Sequence, residues 1–325
     1  MEVTHCHADF LKTEGSLVTN DIVELTNFVS TRNRCYTQLT PGEFEASYRE
    51  VHLGGVQLIR ESFNVGVRIE ASPPASYAPF AAISTMNTEG SYFGDVDAGN
   101  TLIQACGGEW DFIAFNEMDY VCAVFDKDVL ANGFYQLSGY DIPNQWLLSR
   151  AATINPKMLS QYRVALQRVM MLCAKYSQVR NSVYLQNYLT EYVLQHLAQS
   201  LSDSSKVPVR MTTGDKLQAG VRRVIDYLNS HSHELPTMQK LCEISQLSER
   251  SLQYGFRSCL NLTPVQYLRI IRLNSVRKEL LVSDKHTTTV SDVAIRWGFF
   301  ELGRFAGNYK QLFEESPSET LLRYQ

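Results

Sequence analysis

The chain lacks any stretch approaching the ~18 consecutive apolar residues that a membrane-spanning helix needs. It also lacks CxxC pairs. Its seven cysteines, at 6, 35, 106, 122, 173, 242 and 259, are odd in number and scattered. That argues against a disulfide framework and a zinc ribbon, and a reducing, cytoplasmic setting fits best. Between residues 40 and 150 the only histidine is His52. A catalytic metal in a β-barrel needs several histidines and a carboxylate at close spacing, so no metal or resident cofactor is expected. P-loop, GxSxG, HExxH and dinucleotide GxGxxG motifs are all missing. The first residues include His5, Cys6, His7 and Asp9 without an apolar run, which does not read as a signal peptide.

The composition is that of a soluble globular protein: 325 residues, 44% hydrophobic and 20% charged. This length suggests two domains. Charge is unevenly spread. Residues 216–325 hold 15 Lys+Arg against 11 Asp+Glu, a balance of +4, and residues 1–215 hold 15 against 23, a balance of −8. A basic back half points to a polyanionic partner, although a solvated basic surface gives the same balance.

Residues 44–125 alternate with period two. Val65, Val67 and Ile69 share one face, and turn signals such as "TPGE" (40–43), "SPPASYAP" (72–79), "DAGN" (97–100) and "CGGE" (106–109) separate the runs. Short strands at this spacing predict an all-β sandwich or barrel, with a short helix near 22–36 before it. From Asn155 the period becomes helical. Leu159, Tyr162, Leu166, Val169 and Cys173 form one stripe, and Leu185, Tyr188, Leu189, Tyr192, His196 and Leu197 form a second. These helices either pack on their own barrel or form a dimer interface. The Ser/Thr-rich segment 200–215 reads as a linker. Beyond it, helices are expected at 216–230, 237–244, 248–259, 263–282, 290–297 and 301–313. The fold class is α+β: a β-rich domain over 1–150, a helical connector over 151–200, a linker over 201–215 and an all-α domain over 216–325.

The all-α part contains a repeat. In "LCEISQLSERSLQYGFRSCL" (241–260) and "VAIRWGFFELGRFAGNYKQLF" (293–313) a small residue (Cys242, Ala294) precedes a turn (Gln246, Gly298) and a hydrophobe (Leu247, Phe299). A second helix follows with an apolar pair four apart, Leu252/Phe256 or Phe305/Tyr309. This is the spacing of a helix-turn-helix, whose second helix turns its free face toward a DNA major groove. Between the copies, Thr263 and Pro264 open a helix carrying Val265, Leu268, Ile271, Val276, Leu280 and Leu281. At 1.5 Å per residue, about 19 residues give a bar of roughly 28 Å. That suits two recognition helices about one DNA turn, ~34 Å, apart. Leu241, Leu247, Leu252, Phe256, Ile295, Trp297, Phe299, Phe305 and Tyr309 are expected in the core.

With "LSERSLQYGFRSCLNLTPVQYLRIIRLNSVRKELL" and "VSDVAIRWGFFELGRFAGNYKQLFEESPSE", residues 216–325 resemble the AraC/XylS family of bacterial transcription regulators. Gln246 and Glu314 depart from it, standing where the family commonly has glycine. "YTQLTPGEFEASYREVHLGGVQLIRESFN" (36–64), with "RWGFFELGRFAGNYKQLF", resembles the branch that contains the ethanolamine-operon regulator. That likeness implies a cupin-like N-terminal domain sensing a small-molecule effector, with amines such as ethanolamine among the candidates. The family likeness implies double-stranded promoter DNA and RNA polymerase as partners, with a homodimer as a further possibility.

Carried over from the family, the reading face of the first motif is Arg250, Gln253, Tyr254 and Arg257. That of the second is Gly303, Arg304, Gly307 and Asn308, with Lys310 beside a phosphate. Arginine pairs with guanine O6 and N7, and glutamine with adenine. A solvated helix face has the same polarity. In the front half, Arg60, Glu61 and Trp110 are candidate effector-pocket residues, a polar group beside an aromatic one. A surface ion pair and a core tryptophan would read alike. The competing class is a cupin-type metalloenzyme or a DNA-repair protein fused to a DNA-binding domain, for which only Cys106 before a glycine pair offers any support.

Overall fold

The structure is a computed structural model describing residues 15–83, 90–92, 95–96, 101–104, 110–143, 146–147, 151–202 and 214–323. The turns at 97–100 and 106–109, Cys106, the histidines at 5 and 7, and most of segment 200–215 lie outside these residues.

Strand β1 (Gly15–Thr19) leads into α1 (Ile22–Phe28), whose N-cap Asp21 accepts from the Val23 amide at 2.7 Å. Next come β2 (Arg34–Gln38), β3 (Ala46–Leu53), β4 (Val56–Phe63), β5 (Val67–Ala71) and β6 (Tyr77–Ile83). They are followed by β7 (Gly90–Tyr92), β8 (Asp95–Val96), β9 (Thr101–Gln104), β10 (Trp110–Ala114) and β11 (Met118–Asp126). Helix α2 (Lys127–Ser138) and strand β12 (Ala151–Thr153) complete the sheet-rich part. Strands therefore begin well before residue 44. The segment 22–36, expected as one helix, gives α1, a single 3-10 turn and the start of β2.

Among the described residues the strands form two sheets, ordered β1-β3-β4-β11-β6-β9-β12 and β2-β5-β10-β7-β8. The facing sides enclose Ile59, Phe63, Ile69, Phe112 and Tyr120. The opposite side of the larger sheet, with Leu58, Phe80, Val121 and Phe125, is covered by α3 (Pro156–Lys175) and, after α4 (Ser177–Asn181), by α5 (Val183–Ser202). Asn155 caps α3 and Pro156 opens it, as the sequence suggests. Tyr162 donates to the Phe80 carbonyl at 3.1 Å. The stripe predicted on α5 is rotated: Tyr188 is 58% exposed, and the buried stripe is Leu189, Val193, Leu197 and Leu201.

The helical C-terminal part comprises α6 (Gly214–Ser230), α7 (Met238–Ser245), α8 (Glu249–Leu260) and α9 (Pro264–Val282). It continues with α10 (Val290–Arg296), α11 (Leu302–Phe313) and α12 (Pro317–Leu322), the last of which was not anticipated. This part docks on the outer face of the smaller sheet. Leu39 and Ile113 join the core of α6–α9. Arg68, 1% exposed, donates to the Tyr267 hydroxyl at 2.8 Å and to Asp111 at 2.8 and 2.9 Å. Arg277 meets Asp21 at 3.0 Å with both side chains buried, and Gln38 donates to the Leu312 carbonyl at 2.9 Å.

Candidate nucleic-acid interface

The first helix pair is built on α6. Gly220 lets the turn approach closely, since a Cβ there would lie 2.5 Å from Leu247. Arg223 of α6 donates to the carbonyls of Ile244 and Ser245, orphan acceptors at the end of α7. Gln246 makes the turn in the left-handed region at φ 56°. Ser248 then caps α8, accepting from the Ser251 amide at 3.2 Å. Leu252 and Phe256 are fully buried, and Phe256 meets the Tyr267 ring edge-on at 5.9 Å. The face of α8 opposite this core is thereby turned outward. Arg250, Tyr254 and Arg257 are exposed and Gln253 is half-buried. With Glu249 they line a cleft of about 510 Å³, and Gln253 donates to Glu249 at 3.0 Å.

Helix α9 carries a complete capping box from Thr263 and Gln266, with Pro264 in its first turn. Its far end holds the second pair, because the Trp297 indole donates to Glu279 at 2.6 Å. Thr289 caps α10, and Gly298 turns the chain at φ 79°. Phe305 and Tyr309 are buried, the Phe299 ring lies tilted 5.0 Å from that of Phe305, and the Tyr309 and Thr320 hydroxyls lie 2.8 Å apart. Ile295 and Val265 were expected inward. They are 47% and 55% exposed, because the buried stripes of these helices centre on Val293/Ala294 and on Leu268/Ile271.

On the outer face of α11, Gly303, Arg304, Gly307 and Lys310 are exposed and Asn308 is half-buried. A Cβ added at Gly303 or Gly307 meets nothing within 4 Å. Internal packing therefore does not call for glycine at either place. The Arg304–Glu301 contact is 3.6 Å and solvent-exposed, too weak to hold the guanidinium back from a phosphate or a base. Phe300 and Leu302, which the sequence reading left unassigned, stand beside this face with 70% and 38% exposure. The signal that could have found Phe300 is its place in a turn with two consecutive phenylalanines, of which the structure packs only one.

In the sheet-rich part, Arg60 and Glu61 point to opposite sides of β4. Arg60 lies outside, paired with Asp119 at 2.7 Å, whereas Glu61 is fully buried between the sheets. Glu61 accepts from Arg34 at 3.0 Å, from the Tyr36 hydroxyl at 2.5 Å and from the Tyr120 hydroxyl. Burial pushes its carboxyl above the usual range against the opposing pull of Arg34. Trp110 is 5% exposed, with its ring 6.4 Å from that of Tyr120. Glu61 and Trp110 thus share the neighbour Tyr120, and Arg60 is apart from both. A second buried group has Glu50 accepting from Arg32, from Tyr48 at 2.8 Å and from Gln57 at 2.9 Å. Arg34, Tyr36, Glu50 and Gln57 carried no periodicity signal of their own, since polar side chains were not expected between the sheets, whereas Tyr48 alternates with Phe44 and Ala46 and is buried with them.

Two exposed, arginine-bearing helix faces on a small helical scaffold match the footprint expected of a DNA-binding domain. A family model described as a helix-turn-helix domain matches residues 241–323. The chain is 46% identical over 101 residues to the probable thc operon regulatory protein of Rhodococcus erythropolis, covering 31% of this chain and 30% of that protein. It is 28% identical over 153 residues to XylDLEGF operon transcriptional activator 3 of Pseudomonas putida, covering 47% and 45%. Among solved structures, a probable AraC family transcriptional regulator from Rhodopseudomonas palustris is 30% identical over 33% of this chain and 97% of that one, with a TM-score of 0.31. The chain spans less than half the length of these two curated relatives. Over its C-terminal part the chain is thus a helix-turn-helix protein similar to DNA-binding transcription regulators of the AraC/XylS type.

Proposed function

We propose that the whole chain is a transcription regulator of the activator type. In this reading α7–α8 and α10–α11 act as two helix-turn-helix motifs on promoter DNA. The observation that carries it is the mounting of two outward, arginine-bearing helices, α8 and α11, at the two ends of the single helix α9. Arg250, Gln253 and Arg304 are assigned to bases, Tyr254, Arg257 and Asn308 to bases or backbone, and Lys310 to a phosphate. Gly303 and Gly307 bring the α11 backbone close to the groove. RNA polymerase is the proposed protein partner. The exposed Met171, Tyr176, Val183, Tyr184 and Tyr188 on α3–α5 are the proposed contact with a second copy.

The sheet-rich part is read as a cupin-like sensor of a small molecule. Glu61 and Trp110, with Arg34 and Tyr120, are proposed to line its site, where a carboxylate among aromatic rings suits an amine, including ethanolamine. Arg60 is set aside from that site because its side chain faces outward.

The test is selection of a duplex from a random pool, followed by titration. Arg250→Ala should cost about 1–3 kcal/mol and relax preference at one position, whereas Lys310→Ala should weaken all sequences alike and lower the salt slope by about 1. A chain that selects no duplex, or whose preference survives Arg250→Ala, overturns the reading. For the sensor, an amine that raises the melting temperature of the full chain but not of Glu61→Gln is the expected result.

A further inference from the structure

The two helix pairs are not equal copies. Cys242, Gln246 and Leu247 match Ala294, Gly298 and Phe299, but from the N-caps onward Ser248, Leu252 and Phe256 match Glu301, Phe305 and Tyr309. The second turn is therefore one residue longer, and the extra residue is Phe300. Phe299 takes the inward place, its ring tilted against that of Phe305. Phe300 is left 70% exposed at the start of α11.

The same correspondence strips the reading face. Where α8 carries Arg250, Gln253 and Tyr254, α11 carries Gly303, Ala306 and Gly307, all exposed. Apart from their chain neighbours and the helix's own nearby backbone, nothing among the described residues lies within 4 Å of a Cβ at either glycine. What α11 offers a groove is thus apolar and shallow: two bare backbone positions, a methyl, and the side chains of Phe300 and Leu302 at its leading end. Arg304 and the half-buried Asn308 remain beside them as the polar readers of this face, and the exposed Lys310 supplies charge for the phosphate backbone.

We propose that the second motif reads thymine through its C5-methyl groups, with Phe300 and Leu302 resting on methyls that the missing side chains at Gly303 and Gly307 let them reach. In the major groove the thymine methyl is the one apolar mark on a base edge, and alanine and phenylalanine are among the side chains that contact it. The chain would then divide its recognition unevenly, with hydrogen bonding dominant at α8 and methyl contact added to the few polar groups of α11. This inference rests on the DNA-binding reading above.

Uracil in place of thymine removes the methyl and nothing else. Each thymine of a selected duplex is replaced singly by deoxyuridine and titrated with the full chain. At one or two positions the replacement should weaken binding about four-fold, the value of one buried methyl. With Phe300→Ala the thymine duplex should bind as weakly as the uracil duplex binds the unaltered chain, and the uracil penalty should vanish. Phe300 is exposed, so Phe300→Ala should keep its thermal melting point, and Leu302→Ala gives a second reading. Binding indifferent to every thymine methyl, or a penalty that persists unchanged in both variants, overturns the inference while leaving DNA binding intact. A chain that selects no duplex overturns both.

Discussion

Gln246 and Glu314 hold left-handed backbone conformations at φ 56° and 57°, at the ends of α7 and α11. For a side chain with a Cβ this conformation costs roughly 1–2 kcal/mol. Glycine avoids that cost but loses about 0.5–1 kcal/mol more conformational freedom on folding. Both side chains are exposed, so no buried contact is lost on truncation. Gln246→Gly and Glu314→Gly should each stabilise the chain by about 0.5–1 kcal/mol, read as a shift in urea midpoint at constant slope. A loss of stability would mean that these side chains make contacts that exposure does not reveal. The turn itself was legible from the spacing of Cys242, Gln246 and Leu247. That Gln246 would accept the conformation glycine takes at Gly298 was not.

At the scale of elements, α11 sets stability against binding. Each interior glycine costs a helix about 1 kcal/mol relative to alanine, and neither Gly303 nor Gly307 has a packing reason to be there. Gly307→Ala should therefore stabilise the chain by up to about 1 kcal/mol, while Gly307→Gln should weaken DNA binding by obstructing close approach. A thermal melt and an anisotropy titration on the two variants check the pair of signs. Full binding by Gly307→Gln would remove the close-approach argument without touching the family likeness. Helix α9 was legible because Thr263 before Pro264 marks its start, whereas Ser316 before Pro317 opens α12 with an equally complete capping box and was passed over. Side-chain direction was read less well. Tyr188, Val265 and Ile295 are apolar, yet each lies off its buried stripe. Composition cannot fix the rotation of a helix whose apolar residues exceed one stripe. Arg60 and Glu61 were grouped although neighbours on a strand face opposite ways, a rule the sequence already contained.

At the scale of the molecule, the smaller sheet is buried on both sides, and this hid the docking of the two parts from the sequence. On β5 and β10 the positions that alternate away from the inter-sheet core are Arg68, Glu70, Asp111 and Ile113, which read as a mostly solvated face. Instead they meet the C-terminal helices. Arg68 donates to Tyr267 at 2.8 Å, Tyr267 donates to Asn229 at 3.3 Å, and Asn229 donates back to Glu70 at 3.4 Å. With Asp111 at 2.8 Å, the ring ties β5 and β10 to α6 and α9. Replacing Arg68 leaves two carboxylates facing a phenol with no cation between them. Removing one partner of a buried ion pair costs about 3–5 kcal/mol, far more than an exposed pair. Arg68→Ala should therefore destabilise by about that amount, whereas Arg60→Ala, which breaks the exposed pair with Asp119, should cost under about 1 kcal/mol. Calorimetry of the two variants separates a further possibility. If the Arg68 ring couples the two parts, Arg68→Ala should split the unfolding endotherm, with the helical part melting apart from the sheets. A single transition shifted bodily downward would assign the coupling instead to the buried Arg277–Asp21 pair and to Gln38 on the Leu312 carbonyl.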